Sequence, residues 1–468
     1  MTFRRAFLVG GAALAAWLLF FQGLTDAGVL NVDEPRYASI GREMWGSADW
    51  VSPRLWGEVW LEKPPLLYWL VGLGHATGLH GEAAPRGPVA LLSVVFLVFY
   101  NRFLARQFGS LEAHFATAIL ATSAGWLAFS RLAVTDLPLA VTFSSAMLLA
   151  MPWAVHGDRR WLPVAGAFFG LAVLAKGLVP LALALPLLWW GGRRWKDLLL
   201  PVAIGLTVAL PWYWLCYTRH GRELVDVLII QQHFARFLSG EQLHAQPVWF
   251  YAPVLIGGLF PWTPLLVFLF RKDLYTDVRL RYLLVWAGFG LIFFSAASGK
   301  LPGYLMPLMP AIAALIGVAL PRVRRWDWLL ITPAILIALV VPVLIELLPA
   351  ALQQGLSRTS LPLAWSPWML TVLIPFSFFW LDRTRRFACT AGFVVVVLAC
   401  ALPRALESLE ERASARALRL PASWCLGNIH RNWEYGLRYY YPAVSRCDSA
   451  NPQPQLEQGA DGRPQLRR

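Results

Sequence analysis

The chain has 468 residues, of which 57% are hydrophobic and only 15% are charged. Its apolar runs have the length of about 20 residues that a helix needs to cross a membrane. We therefore predict an all-α polytopic membrane protein surrounded by membrane lipids. The net charge of +14 does not indicate a nucleic-acid partner, because the arginines lie in short clusters between the apolar runs.

The predicted spans number about 13 and form a transmembrane domain over residues 1–402. They lie at about 6–24, 86–104, 111–130, 135–155, 161–176, 178–190, 197–217, 249–270, 281–297, 302–320, 327–348, 365–381 and 385–402. We expect the first span to be retained, because no convincing signal-peptide cleavage site follows it. The positive-inside rule places one alternating set of turns in the cytoplasm. These turns contain the basic clusters at Arg4, Arg102, Arg159, Arg193, Arg271, Arg322 and Arg383.

Two ambiguous segments decide this topology. Residues 64–80 are apolar but contain three glycines, and we interpret them as an interfacial helix on the outer surface of the membrane. Residues 161–190 have basic clusters on both sides, which predicts a hairpin of two short helices that turns at Lys176 and Gly177. Each arm of about 15 residues is roughly 23 Å long, shorter than the hydrocarbon core of about 30 Å. Lys176 should therefore lie recessed below the outer surface.

Two of the outward-facing intervals are the longest. The first is a periplasmic loop over residues 25–85 with interfacial helices, and the second is a short C-terminal region over residues 403–468. An external location favours a disulfide between Cys425 and Cys447, with two unpaired thiols as the alternative. The last segment, PQPQLEQGADGRPQLRR, is expected to be disordered.

Charged and polar residues gather at the outward ends of the predicted helices. Charges at membrane depth are costly, so they indicate function by default, here on an anionic, membrane-embedded substrate. The candidates are Asp33, Glu34, Arg36, Glu62, Lys63, Arg131, Asp136, Lys176, His233, His244, Lys300 and Tyr304. Simpler explanations stay open: Asp33 or Glu34 can cap a helix that begins at Pro35, and the lysines can snorkel. Arg131 and Asp136 can form an ion pair that only closes a turn.

Ordered motifs occur over about the first 320 residues, namely DEPRYA, LEKPPLLYWL, SRLAVTDLPLA, GLAVLAKGLVP, QPVWFYAPVLIGGLFPW and GKLPGYLMPLMPA. They resemble the bacterial glycosyltransferases of the GT-C class that use polyprenyl-phosphate-linked sugars. These are the lipid A aminoarabinose transferases, which are allied to the protein O-mannosyltransferases. The aminoarabinose enzymes often carry a larger external C-terminal domain. The short region here therefore leaves lipid A, protein and glycan open as acceptors.

The resemblance implies a GT-C-like fold in the bacterial inner membrane, with a periplasmic site that transfers a sugar from undecaprenyl phosphate. It implies that Asp33 and Asp136 are the catalytic acids, with Asp33 as base or substrate ligand. It further implies a divalent metal ion (Zn, Mg or Mn) held by Glu62 and His244. His244 matches the metal-binding histidine of the family better than His233 does. The implied substrate or lipid-phosphate ligands are Arg36, Lys63, Arg131, Lys176, Lys300 and Tyr304.

The chemistry of the residues agrees with this reaction. A polyprenyl phosphate is already a good leaving group, so it needs cations to stabilise the departing phosphate, and a hydroxyl acceptor also needs a carboxylate base. The alternative is a lipid or glycan transporter or flippase of the cell envelope. That class would be expected to show internal repeats and polar groups on broken helices near the midplane. Here the acids lie at the outward helix ends instead.

Overall fold

The computed structural model describes residues 3–235, 246–322, 327–354, 367–421, 423–447, 454–459 and 463–467. For residues 3–8, 193, 233–235, 353–354 and 367–369 it describes the backbone only.

Helices form most of the described chain, and they follow the apolar runs of the sequence. The α-helices are α1 (Phe3–Ala16), α2 (Asp33–Ser47), α3 (Leu66–Ala76), α4 (Ala83–Phe108), α5 (Ser110–Thr122), α6 (Ala124–Ser130), α7 (Asp136–His156), α8 (Leu162–Lys176), α9 (Val179–Leu183), α10 (Leu185–Gly191), α11 (Leu199–His220), α12 (Arg222–Leu224), α13 (Tyr251–Leu259), α14 (Val278–Ala296), α15 (Met309–Arg322), α16 (Thr332–Gln354), α17 (Leu373–Ser377), α18 (Arg383–Ala413) and α19 (Arg431–Tyr440). Short 3-10 helices cover Gly192–Leu198, Val248–Phe250, Thr263–Phe270, Lys272–Thr276, Pro302–Leu308, Asp327–Ile331, Pro367–Val372, Phe378–Trp380 and Ala415–Ala417, and π-helical turns cover Trp17–Phe21 and Val225–Ala235. The strands are β1 (Arg54–Leu55), β2 (Glu58–Val59), β3 (Cys425–Leu426), β4 (Gln455–Gln458) and β5 (Pro464–Arg467).

Fewer helices than predicted are long and apolar enough to cross a membrane in the part of the chain that the structure describes. Within the described ranges, 7 helices are long and apolar enough to cross, and 8 crossings result if the helices Val248–Leu259 and Thr263–Phe270, bent by 117°, form one span. Further apolar helices of 10–17 residues occur, α8 among them. The polytopic helical architecture is therefore confirmed, whereas the count of about 13 spans is not.

The predicted hairpin over residues 161–190 is present. Helix α7 runs from Asp136 to its end near residue 156, and α8 returns alongside it to Lys176. The chain then turns at Gly177, whose φ of 70° suits glycine, into α9 and α10. It comes back to the starting side, because Asp197 forms an ion pair of 3.0 Å with Arg159. Lys176 therefore lies at the tip of the hairpin, beside the start of α7.

Helix α3 lies where the interfacial helix was predicted. Its 11 residues correspond to about 17 Å, too short to cross a hydrocarbon core of about 30 Å. It packs closely on α2 and α4 through glycines. A Cβ at Gly74 would overlap the main-chain carbonyl of Ala84, and a Cβ at Gly41 would overlap Val71. The small residues of this segment therefore serve helix packing in the first loop.

A buried ion pair anchors the first loop to α4. The Glu34 side chain is 1% exposed and the Arg86 side chain 3% exposed. Arg86 Nε and Nη2 donate to the two carboxylate oxygens of Glu34 at 2.7 and 2.8 Å. The same oxygens accept from the main-chain N–H groups of Leu30 and Ala133 at 2.8 and 3.1 Å. The start of α2, the chain before it and the turn before α7 are thereby tied together at one point.

The C-terminal region is a folded unit. Helix α18 continues to Ala413, past the predicted boundary at residue 402. A disulfide joins Cys425 and Cys447 and closes the segment that carries α19. Strand β4 pairs in parallel with β3 and antiparallel with β5, and its Leu456 is 1% exposed in a cluster with Leu437. The predicted disorder is therefore wrong for residues 454–459 and 463–467, because β4 buries an apolar side chain and its backbone is paired.

Candidate functional site

The first loop brings an arginine and two acids together. Helix α2 begins at Asp33, and Pro35 in its first turn suits a helix start. The i, i+3 spacing places Arg36 against Asp33, and the two form an ion pair. Arg36 Nη1 also lies 3.8 Å from Glu62 Oε2. The exposed fractions are 13% for Arg36, 46% for Asp33 and 29% for Glu62, so the acids are more accessible than the cation between them.

Aromatic rings surround the Arg36 guanidinium. Its central carbon lies 5.0 Å from the ring centroid of Tyr37, 5.4 Å from Trp60 and 5.7 Å from Tyr435. Burial alone would lower the pKa of Arg36, but Tyr37 and the carboxylates of Asp33 and Glu62 raise it overall. Arg36 is therefore held as a cation in a position that two acids and three rings define.

A second cluster lies at the tip of the hairpin. Lys176 Nζ donates to Asp136 Oδ1 at 2.6 Å, and it lies 4.8 Å from the ring centroid of Tyr304. The side chains of Lys176 and Asp136 are only 11% and 17% exposed. Gly303 leaves room for the acid, since a Cβ there would overlap the Asp136 carboxylate and lie 2.9 Å from Phe129. Helices α7 and α8 and the 3-10 helix Pro302–Leu308 therefore build this cluster together.

Buried Tyr37 lies beside Arg36 of the first-loop cluster. It is 3% exposed, and Arg36 Nη2 donates to its hydroxyl at 3.3 Å. Burial raises the pKa of Tyr37, the carboxylate of Asp33 raises it further, Arg36 lowers it, and Asp136 raises it again. The main chain ties the two clusters together, because Glu34, which follows Asp33, accepts a hydrogen bond of 3.1 Å from the N–H of Ala133, three residues before Asp136.

Lys63 is hydrogen-bonded to a helical segment that helps to line an apolar groove. Its Nζ donates to Gln232 Oε1 at 3.1 Å. Gln232 belongs to the π-helical segment Val225–Ala235, which together with α11 lines a groove of about 710 Å³. Leu210, Trp214 and Ile229 are among its lining residues. A cation bound to the segment that lines an apolar groove would suit the charged and apolar ends of a lipid phosphate.

Two other predicted phosphate ligands are engaged with main-chain carbonyls. Lys300 is 4% exposed and donates to the carbonyls of Gln246 at 2.9 Å and of Ala297 at 2.5 Å. Arg131 is 7% exposed and donates to the carbonyls of Leu19 at 2.9 Å and of residue 22 at 2.6 Å. Burial and nearby Arg86 lower the pKa of Arg131 to about 10, so it stays protonated at neutral pH. These contacts indicate anchoring roles, and phosphate binding by either residue stays a prediction.

The predicted metal site lies only partly within the described residues. Glu62 is described and accessible, whereas His244 and the side chain of His233 lie outside the described part of the chain. Over the described ranges, no group of three or more His, Cys, Asp and Glu side chains is arranged to hold a metal ion. Glu62, with a free face beside Arg36, offers one hard oxygen ligand of the type a divalent ion accepts.

Sequence reasoning missed three residues that shape the site. Arg86 stands at the start of a predicted span, where an arginine ordinarily reaches the membrane interface, and its buried partner Glu34 is 52 residues away in the sequence. Tyr37 follows Arg36 directly, and its hydrogen bond from the Arg36 guanidinium depends on the fold of the first loop. Tyr435 belongs to the aromatic, charged stretch RNWEYGLRYYY, whose spacing is typical of an amphipathic helix. The sequence shows the amphipathic pattern, but it does not show the surface of the first loop against which this helix packs.

Known proteins match both the sequence and the fold. The dolichyl-phosphate-mannose-protein mannosyltransferase family matches residues 62–215. The undecaprenyl phosphate-alpha-4-amino-4-deoxy-L-arabinose arabinosyl transferase of Pseudomonas paraeruginosa strain DSM 24068 / PA7 is 32% identical over 335 residues, which is 67% of this chain and 60% of that protein. The corresponding protein of Pseudomonas aeruginosa strain PAO1 is 32% identical over 332 residues, 67% of this chain and 59% of that protein. The match thus spans about three fifths of the length of these relatives.

Solved structures extend the match over nearly the whole chain. ArnT from Cupriavidus metallidurans bound to undecaprenyl phosphate has a TM-score of 0.75 at 25% sequence identity, covering 95% of this chain and 86% of that chain. The oligosaccharyltransferase of Archaeoglobus fulgidus has a TM-score of 0.53 at 13% identity over 94% of this chain and 64% of that chain, which indicates a common fold alone. The resemblance drawn from the sequence is confirmed, and the chain is a relative of the GT-C glycosyltransferases that use polyprenyl-phosphate-linked sugars.

Proposed function

We propose that this protein is an integral-membrane glycosyltransferase of the bacterial inner membrane. It takes a sugar from an undecaprenyl-phosphate donor and transfers it to an acceptor at the periplasmic face. The observation that carries the proposal is a pair of acid–base clusters, Asp33 with Arg36 and Asp136 with Lys176, which the hydrogen bond from Ala133 N–H to Glu34 holds to one another. The matched aminoarabinose transferases suggest an amino sugar as the transferred group.

The proposed reaction breaks the bond between the anomeric carbon of the sugar and a phosphate oxygen. The electron pair of that bond leaves with the phosphate, and the acceptor oxygen forms the new bond to the same carbon. Arg36 and Lys63 would stabilise the charge that develops on the departing phosphate. Preorganisation favours this role for Arg36, because acids and rings already hold its guanidinium in place.

We propose that the Asp33 carboxylate is the general base. Its side chain is 46% exposed, so an acceptor hydroxyl can reach it, and its ion pair with Arg36 orients it toward the phosphate position. It would take the proton of a hydroxyl acceptor as the new bond forms. A phosphate acceptor of lipid A is already ionised and needs no such transfer. We therefore propose Asp33 as a base for protein or glycan hydroxyl groups, and as a substrate or metal ligand for lipid A.

The hairpin cluster would hold the sugar. Asp136 is held by Lys176 at 2.6 Å in the space that Gly303 leaves open, so it offers a positioned carboxylate for sugar hydroxyl or amino groups. Tyr304 keeps the ammonium of Lys176 at the same point. The lipid chain would lie along the apolar groove that α11 and the segment Val225–Ala235 line, and Lys63, which is bonded to Gln232 of that segment, would hold the phosphate.

A divalent metal ion remains part of the proposal. Glu62 and His244 would hold it, and His233 is the alternative histidine. When bound, such an ion would supply positive charge for the phosphate oxygens. Glu62 fits this use because its carboxylate is accessible and lies beside Arg36, the residue proposed to face the same phosphate.

The test is a transfer assay with purified protein, an undecaprenyl-phosphate amino sugar, and lipid A, peptide or glycan acceptors. We expect free undecaprenyl phosphate and glycosylated acceptor in equal amounts by mass spectrometry. Asp136→Asn should abolish most of this activity, whereas Glu58→Gln, an exposed acid on β2 of the same loop, should not. Movement of the intact donor across reconstituted vesicles without cleavage would overturn the proposal in favour of a flippase.

A further inference from the structure

The C-terminal helix α19 is fixed onto the first loop beside the site. Tyr440 accepts a hydrogen bond from the main-chain N–H of Val29 at 2.8 Å and donates to Glu82 Oε1 at 2.5 Å. Arg42 of α2 donates to the carbonyl of Tyr439 at 3.1 Å, and its guanidinium lies 4.6 Å from the Tyr439 ring centroid. These contacts join two parts of the chain almost 400 residues apart, so α19 has a defined position relative to α2.

Tyr435 lies four residues before Tyr439, on the same face of the helix. Its ring centroid is 5.7 Å from the Arg36 guanidinium carbon and 5.3 Å from the Trp56 ring, with which it is stacked. Arg438 covers Trp56 at 4.2 Å. Tyr435 is thus the residue through which the C-terminal unit reaches the candidate site.

We propose that Tyr435 is a positioning residue of the transfer reaction, which acts through Arg36 on the donor phosphate. The inference rests on the proposed function. Asp33 and Glu62 attract the guanidinium from the acid side, and the rings of Trp60 and Tyr435 contact it as well. An aromatic face attracts a cation and also excludes water, which strengthens the charge that Arg36 presents to a phosphate.

The consequence is that the C-terminal unit belongs to the donor site. Without the Tyr435 ring, Arg36 keeps its ion pairs but gains freedom and water on one side. Donor binding should weaken, whereas acceptor binding should not. A merely structural defect has another signature, because partial unfolding reduces the active fraction and leaves the Michaelis constants unchanged.

The kinetic test uses a series of variants at one position. We expect Tyr435→Ala and Tyr435→Leu to raise the donor KM about tenfold, since both remove the ring and Leu keeps much of the volume. Tyr435→Phe should restore the wild-type donor KM. The matched control is Tyr441→Ala, which removes a ring packed 5.5 Å from Trp424 inside the same unit, away from Arg36, and should leave the donor KM unchanged. The acceptor KM should stay constant throughout.

A second measurement does not depend on transfer. Phenylglyoxal labels accessible arginines, and mass spectrometry of the peptide that contains Arg36 follows its rate. Arg36 is 13% exposed in the intact protein, so Tyr435→Ala and Tyr435→Leu should label faster than wild type and Tyr435→Phe. Equal labelling rates, or a donor KM unchanged by loss of the ring, would overturn the positioning role. Absence of transfer by the wild type would refute the proposed function instead, and labelling alone would then decide the position of Arg36.

Discussion

Replacing Glu34 by Gln should destabilise the protein. Glu34 is adjacent to Asp33, the proposed base, but its own role is structural. The substitution keeps the shape of the side chain but removes its charge. It leaves the Arg86 guanidinium buried without its counter-ion and turns one acceptor oxygen into an amide N–H. Each Glu34 oxygen accepts from Arg86 and from one main-chain N–H, so whichever way the amide is oriented, one Arg86 N–H and one main-chain N–H lose this acceptor.

The magnitude follows from the burial of the pair. Removing one partner of a buried ion pair costs about 3–5 kcal/mol, because the remaining charge is uncompensated. The side chains of Glu34 and Arg86 are 1% and 3% exposed, so solvent screens this loss very little. With an unfolding entropy of about 2.1 cal/mol/K per residue, a chain of 468 residues should lose about 3–5 °C in Tm.

The assay compares two neighbouring acids in one detergent preparation. Thermal unfolding is followed by the loss of the monodisperse peak in size-exclusion chromatography. Glu34→Gln should unfold at lower temperature, while Asp33→Asn, whose side chain is 46% exposed, should change Tm by about 1 °C or less. For a hydroxyl acceptor, Asp33→Asn should lower turnover at least about 10²-fold. Equal melting temperatures for Glu34→Gln and the wild type would refute the anchoring role of the ion pair.

Three further outcomes are expected. Gly303→Ala should lower transfer strongly with little change in Tm, because the added methyl group displaces the Asp136 carboxylate; wild-type kinetics would contradict the packing described. Chelation should lower both bound metal, measured by mass spectrometry, and activity, and Glu62→Gln or His244→Ala should reduce metal content; an unchanged content in both variants would refute the ligand pair. A cysteine at position 194 should resist a membrane-impermeant thiol reagent added to intact cells, and labelling there would refute the cytoplasmic assignment of that turn.

The sequence was sufficient for the hairpin because two opposing requirements met in one segment. About 30 apolar residues with basic clusters at both ends cannot form a single span without placing arginines on the wrong side. A turn at Lys176 and Gly177 was the simplest solution, and glycine at φ 70° provides it. The sequence predicted that Lys176 and Asp136 lie at the same side of the membrane. It could not predict their ion pair, because that contact depends on the offset between α7 and α8.

The C-terminal unit shows what pattern reasoning could not supply. Its last segment is polar and rich in proline and glycine, which favours disorder in isolation. The unit folds because Leu456 enters a small core whose other members lie up to about 40 residues earlier in the sequence. Long-range contacts of this kind carry no local signal. Tyr435 was not predicted as a site residue for the same reason, because its partner Arg36 is about 400 residues away in the sequence.

The adjacent acids of the first loop explain why a motif alone does not assign roles. Successive residues of a helix point about 100° apart, so Asp33 and Glu34 at the start of α2 must face different surroundings. Glu34 faces Arg86 and is sealed from solvent, whereas Asp33 faces Arg36 and is accessible. Asp33 can therefore exchange a proton with a substrate, whereas Glu34 cannot do so unless the loop unfolds. Because Glu34 also binds the N–H of Ala133, it fixes the turn before Asp136, and so the structural acid sets the distance between the two proposed catalytic acids.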